Sequence, residues 1–84
     1  MGAKEFVKFC KEEIVKYHNE TSDERRITKS DVYMVWYCKT LQNHKALLST
    51  KVADGMYYEM TLNGDKNEVY LDAYKKQENK RIIL

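Results

Sequence analysis

The sequence contains no proline, only three glycines and no long apolar run in its 84 residues. Without proline, no strand is confined to a sheet edge by that residue. A membrane-spanning helix needs roughly 18 consecutive apolar residues, and no run here approaches that length. The opening MGAKEFVKFCKEE has acidic residues where a signal peptide needs an apolar stretch. We therefore expect a cytoplasmic protein that does not contact a membrane.

An excess of charge of one sign is also lacking. The 15 lysines and arginines are nearly matched by 13 aspartates and glutamates, which gives a formal net charge of +2. Such a balance produces no strong general field to attract nucleic acid or an anionic membrane surface.

Residues that carry chemistry are few and scattered. No glycine-rich phosphate loop, nucleophile beside a base or pair of carboxylates is apparent. His18 and His44 lack neighbours at metal-ligand spacing, so surface histidines are expected rather than a zinc site. Cys10 and Cys38 each fall on the apolar side of a predicted element and are expected to be buried free thiols. The sequence predicts neither an enzyme nor a bound cofactor or metal.

The pattern of apolar residues divides the chain into a helical part and a sheet. We predict a single domain, residues 1–84, with a helix at 3–18, a polar connector at 19–31, a sheet at 32–75 and a tail at 76–84. In the connector, Ile27 is expected to point inward. The helix carries an apolar stripe at three- and four-residue spacing, formed by Phe6, Phe9, Cys10, Ile14 and Tyr17.

From Asp31 onward the apolar and aromatic residues alternate, as in strands. The turn signals QNHK, VADG and LNGD separate four candidate strands at 32–41, 45–51, 56–62 and 67–75. The predicted fold is therefore α+β, an N-terminal amphipathic helix packed on one face of a four-stranded antiparallel meander sheet. For the last hairpin we favour an NGDK loop that pairs Met60 with Val69, because a two-residue turn would set Glu59 opposite Glu68.

Strict alternation assigns the side chains to two faces of the sheet. The helix side receives Val32, Met34, Trp36, Cys38, Met56, Tyr58, Met60, Leu62, Val69, Leu71 and Ala73. The opposite side receives Tyr33, Val35, Tyr37, Tyr57, Tyr70 and Tyr74. A sheet with one covering helix normally turns polar residues to water, so this tyrosine-rich side is expected to bind a partner. Alternatively, tyrosine and valine occur there as good strand formers whose cross-strand pairs stabilise an exposed sheet.

The segment VYMVWYCKTLQNHKALLS at 32–49, with DGMYYE and NGDKNEVYLDAYKK, resembles a family of small uncharacterised proteins carried by phages and prophages of Gram-positive bacteria. The resemblance covers roughly residues 30–78, and VWYCKTLQN is specific as a string. It implies a phage-derived cytoplasmic accessory protein, and no functional residues carry over from it.

These observations lead to one principal hypothesis, a small non-enzymatic phage accessory protein that binds and inhibits or modulates a bacterial host or antiviral-defence protein, for example a nuclease effector. The expected partner-binding residues are Tyr33, Tyr37, Tyr57, Tyr70 and Tyr74, with Lys39, Lys75 and Lys76 as a charged rim. A homodimer through the same side is a second form of this hypothesis.

The alternative is an accessory protein that binds single-stranded nucleic acid or a nucleotide on the same aromatic side. Stacking on an open sheet is a known mode for such ligands, and Lys75, Lys76, Lys80 and Arg81 supply positive charge. It ranks lower because the balanced charge lacks the basic footprint of that class.

Overall fold

A computed structural model describes all residues 1–84 and contains one helix and one sheet. The helix α1 spans Ala3–Thr21, and a short 3-10 turn follows at Lys29–Asp31. The strands are β1 at Val32–Thr40, β2 at Asn43–Thr50, β3 at Met56–Asn63 and β4 at Glu68–Lys75. They form an antiparallel sheet in the order β1-β2-β3-β4, which confirms the predicted α+β meander. Residues 76–84 form neither helix nor strand. The single helix lacks the apolar length needed to cross a bilayer.

Helix α1 packs one face onto the sheet. Phe6, Cys10 and Ile14 are fully buried, together with His18 one turn further on. They join a core formed with Leu48, Tyr58, Met60 and other residues on the covered side of the sheet. Full burial of one large apolar side chain stabilises the fold by about 1.5–3 kcal/mol, so this face fixes the position of the helix. The helix ends three residues later than predicted, where the Ser22 N–H donates to the His18 carbonyl at 2.9 Å.

Polar side chains hold the connector against the end of the helix. The Asn19 amide donates to the Ile27 carbonyl at 3.0 Å and its oxygen accepts from the Ile27 N–H at 2.9 Å. His18 Nε2 donates to the Arg25 carbonyl at 2.8 Å. These contacts place the Ile27 side chain in the core, where it is 3% exposed. The prediction that Ile27 points inward is therefore confirmed.

The prediction that the two histidines lie on the surface is wrong, because both are 1% exposed. His44 stacks on Phe6, with ring centroids 5.0 Å apart. Its Nε2 donates to the Met1 carbonyl at 3.0 Å, so its Nδ1 accepts from the Tyr37 hydroxyl. His18 is buried between the connector and the sheet, with Nδ1 4.0 Å from a carboxylate oxygen of Asp54. Hydrogen bonds satisfy both nitrogens of His44 and Nε2 of His18, whereas His18 Nδ1 is buried without a hydrogen-bond partner.

A β-bulge in β1 changes the predicted faces. Met34 is paired with Leu48 and Trp36 with Leu47, so Val35 is an extra residue without a partner. An extra residue displaces the side-chain alternation by one position. Beyond Val35, Tyr37 therefore lies on the helix side, opposite Ala46, and Trp36 and Cys38 lie on the other side. The predicted assignment of these three side chains is wrong, as is the predicted burial of Cys38, which is exposed.

The last hairpin has a different register from the predicted one. Met60 is paired with Leu71 and Leu62 with Val69, a displacement of two residues from the NGDK arrangement. The loop comprises residues 64–67, and it closes with Asn67 in the left-handed conformation, at φ 53°. A displacement by two residues leaves each side chain on its predicted face. It does set Glu59 opposite Asp72.

Candidate protein-binding face

The side of the sheet away from α1 is called the open face. Three adjacent rows of cross-strand neighbours form its centre: Tyr33, Ser49, Tyr57 and Tyr74; Trp36, Leu47, Glu59 and Asp72; and Cys38, Lys45, Thr61 and Tyr70. Because the rows cross all strands, every one of these side chains is held on a continuous hydrogen-bonded scaffold. The surface is thus preformed rather than carried on loops.

Aromatic rings dominate the open face. Trp36 is 43% exposed and Tyr74 is 54% exposed, and Tyr33 and Tyr70 are exposed to a similar degree. Tyr57 lies between Tyr33 and Tyr74 in its row and is partly buried. Large amphipathic rings that are about half exposed offer much contact area and lose little conformational entropy when a partner binds. For this reason tyrosine and tryptophan are enriched in binding surfaces.

The charges at the centre of the open face are mostly negative. Lys45 Nζ lies 3.4 Å from a carboxylate oxygen of Glu59, and Asp72 stands opposite Glu59 on the next strand. The Tyr70 hydroxyl donates to the carboxylate of Glu68, and this hydrogen bond raises the pKa of Tyr70 above its ordinary value. The three rows thus hold two carboxylates, Glu59 and Asp72, and one lysine, Lys45, while Glu68 lies just outside them beside Tyr70. Their field opposes a phosphate backbone.

The structure brings together some of the expected site residues and separates others. Tyr33, Tyr57, Tyr70 and Tyr74 share the open face as expected. Lys76 lies at one corner of it and borders a shallow depression of about 450 Å³ with Leu47, Tyr57 and Tyr74. Lys75 also borders this depression, although it is paired with Met56 and so follows the helix-side alternation of β4.

Tyr37 and Lys39 do not belong to the open face. Tyr37 is on the helix side, where its ring lies 6.2 Å from that of Phe6 and its hydroxyl donates to His44. Lys39 is exposed but is paired with His44, so it also projects toward the helix side. Their assignment to the same surface as the other tyrosines is therefore wrong, and the bulge at Val35 is the reason.

Trp36, Cys38 and Leu47 are part of the open face and were missed by sequence reasoning. The run VYMVWYC contains no charged residue that would identify the solvent-facing side. The sequence therefore does not show which of its alternate side chains face the helix. Leu47 is followed by Leu48, and two adjacent leucines likewise do not indicate which one is covered. Only the pairing of β1 with β2 shows that Trp36, Cys38 and Leu47 lie on the open face.

The structure holds no group of three or more His, Cys, Asp or Glu side chains that is arranged to bind a metal ion.

In comparisons with known proteins, the model of a family of unknown function, DUF6275, matches residues 7–84. No curated protein and no solved structure is detectably similar to the chain.

Proposed function

The chain belongs to the DUF6275 family of unknown function, and we propose that it is a non-enzymatic binding protein whose open face docks on a folded protein partner. The observation that carries the proposal is the cluster of Trp36, Tyr33, Tyr57, Tyr70 and Tyr74 on a sheet face that the helix does not cover. Several exposed tyrosine and tryptophan side chains on one face of a small protein are typical of an interaction site.

A foreign partner is favoured over a second copy by the charge of this face. In a twofold dimer the same patch meets itself, so a face centred on Glu59, Asp72 and a single lysine would meet the same excess of carboxylate. A different protein with basic groups opposite these carboxylates would relieve that repulsion and gain association rate. The same carboxylates oppose single-stranded nucleic acid, which otherwise stacks on such rings.

The resemblance to proteins of phages and prophages of Gram-positive bacteria supports a biological setting for the proposal. In that setting the protein acts in the cytoplasm of the infected or lysogenic cell. Its partner is a host or antiviral-defence protein, with a nuclease effector as the leading example, and binding inhibits or modulates that partner by covering its surface.

Affinity capture from a Gram-positive host lysate, followed by titration of each purified captured protein, tests the proposal. The informative variant is Trp36→Thr with Tyr70→Thr, because threonine keeps the strand propensity while removing both rings. Leu41→Ser with Ile83→Ser is the matched control, since these residues are 79% exposed outside the open face. We expect the ring variant to weaken binding at least about tenfold and the control to leave it unchanged, with equal melting temperatures.

Three results would overturn the proposal. The first is a captured protein that binds the ring variant as tightly as the wild type. The second is a wild-type dimer, seen by light scattering, that the ring variant abolishes. The third is tight, steeply salt-dependent binding of a labelled single-stranded oligonucleotide that is lost in the ring variant.

A further inference from the structure

A second surface lies on the other side of the molecule, between the N-terminal half of α1 and the edge strand β1. It is a groove with a volume of about 580 Å³, called here the lysine groove. Its floor is formed by Val7 from the helix and by Met34 and Tyr37 from the strand. Met34 remains 37% exposed there, so the floor offers apolar surface that the protein itself does not cover.

Positive charge surrounds this floor. Lys4, Lys8 and Lys11 recur at three- and four-residue spacing on one side of α1, and Lys29 completes the rim from the turn before β1. No carboxylate lines the groove. Lys29 is 3.7 Å from Glu12, whereas the other three lysines form no ion pair. Four cations therefore border one groove in a chain whose formal net charge is only +2.

The strand beside the groove has an unpaired edge. β1 is bonded to β2 alone, so the N–H and C=O groups that point away from β2 are free to pair with another chain. A peptide that adds to such an edge directs alternate side chains to opposite faces of the sheet. On the helix side those side chains would enter the lysine groove.

We propose that the lysine groove binds an extended acidic segment of a protein by strand addition to β1. Apolar side chains of the segment pack on Val7, Met34 and Tyr37, and its carboxylates meet the lysine rim. This site is separate from the open face and does not depend on the function proposed for it. The chain's own tail is a poor occupant, because it carries Lys76, Lys80 and Arg81.

A peptide fits the groove better than nucleic acid does. Base stacking needs an accessible ring face, and the ring in the floor, Tyr37, is partly buried and packs on Phe6 and His44. On either side of the bulge at Val35, the free hydrogen-bonding groups of β1 have the spacing of a peptide backbone, which a nucleotide strand does not match.

Fluorescence anisotropy with a short labelled peptide of alternating Glu and Leu tests the proposal. We expect binding that weakens with salt and that is lost when alternate peptide nitrogens of the ligand are methylated, since methylation removes the donors needed for strand addition. The informative variant is Lys8→Glu with Lys11→Glu, expected to weaken binding at least about tenfold, or about 1.4 kcal/mol.

Matched controls separate the groove from general electrostatics and from the open face. Lys16→Glu with Lys66→Glu makes the same change in net charge on exposed lysines elsewhere and should preserve binding. The Trp36→Thr, Tyr70→Thr variant should also preserve it, whatever happens to capture of the open-face partner. Absence of binding, an equal loss in both lysine variants, indifference to methylation, or tighter binding of a labelled oligothymidylate would each overturn the proposal.

Discussion

Tyr37 and His44 form a buried polar pair at the edge of the core. The Tyr37 hydroxyl donates to one ring nitrogen of His44, and the other nitrogen donates to the Met1 carbonyl at 3.0 Å. Both nitrogens of a ring that is 1% exposed are thereby satisfied. An unpaired buried polar group costs about 1–3 kcal/mol, so the pair favours the arrangement in which Tyr37 faces the helix.

The two cysteines provide a direct check on this arrangement at the residue scale. Cys10 is buried beneath the helix, and burial raises the pKa of its thiol to about 12, whereas Cys38 is exposed on the open face. Because the thiolate is the reacting species, we expect a thiol reagent to modify the exposed Cys38 quickly in the native protein. The other should react more than about tenfold more slowly until denaturant is added.

Cys38→Ser and Cys10→Ala assign the two kinetic phases. Removing Cys38 should abolish the fast phase, and removing Cys10 should abolish only the phase that requires unfolding. If Cys38 lay under the helix, as strict alternation predicts, neither thiol would react quickly in the native state.

At the same scale, sequence predicts burial well where it depends on spacing alone. Of the five residues in the predicted helix stripe, Phe6, Cys10 and Ile14 are buried as expected, whereas Phe9 is half-buried and Tyr17 is 36% exposed. His18 and His44 are buried for another reason, because their hydrogen-bond partners Arg25 and Met1 come from other parts of the chain. Residue polarity favours the surface for histidine, and only the folded chain supplies the partners that reverse this preference.

At the scale of elements, the existence and order of the helix and strands could be predicted, but pairing within the sheet could not. The register of the last hairpin was predicted from repulsion between two strands. In the structure, Glu59 does face a carboxylate, that of Asp72, but Lys45 from β2 lies 3.4 Å from Glu59 and offsets the repulsion. A rule for pairs of strands omits the charge on a neighbouring strand that offsets this repulsion.

The two turns at one end of the sheet pack against each other, and Gly64 is the point of contact. A Cβ at this position would lie 2.1 Å from the backbone oxygen of Gln42, a separation that real contacts do not reach. We expect Gly64→Ala to lower the free energy of unfolding by about 1–3 kcal/mol, as overpacking does, because the atom in the way belongs to backbone. Urea denaturation measures the change.

Gly2→Ala is the matched control for that substitution. Its added Cβ would have the carboxylate of Glu5 as nearest neighbour at 3.8 Å, an ordinary contact distance. This variant should lose no more than about 1 kcal/mol, since its only cost is that alanine is less favourable than glycine at the N-cap of α1. Equal stability of the two variants would show that the turns are not packed as the structure has them.

At the scale of the whole molecule, the protein is a thin two-layer slab of 39 × 37 × 19 Å. Only 14 of its 84 residues are buried, so the core is small. The loss of any one buried group therefore removes a large share of a modest free energy of unfolding. The bulge at Val35 links the two proposed surfaces, because it sends Trp36 to the open face and Tyr37 to the floor of the lysine groove.

The same small core holds two groups that must stay protonated. Burial raises the pKa of Cys10 from 9.0 to about 12 and that of Tyr58 from 10.0 to about 12. In the unfolded chain these groups lose their protons at lower pH than in the folded one. The folded state therefore binds more protons above about pH 9, and the free energy of unfolding falls as pH rises. Their contribution is complete below pH 9 and is lost as pH approaches 12.

Cys10→Ala with Tyr58→Phe removes both titrating groups from the core. The variant should be less stable than the wild type near neutral pH, because it loses packing, yet its free energy of unfolding should fall less between about pH 8 and about pH 11. Tyr74→Phe, which removes an exposed hydroxyl on the open face, should keep the slope of the wild type. Denaturant titrations at each pH measure the slopes, and parallel curves for all three proteins would mean that buried Cys10 and Tyr58 do not control alkaline unfolding.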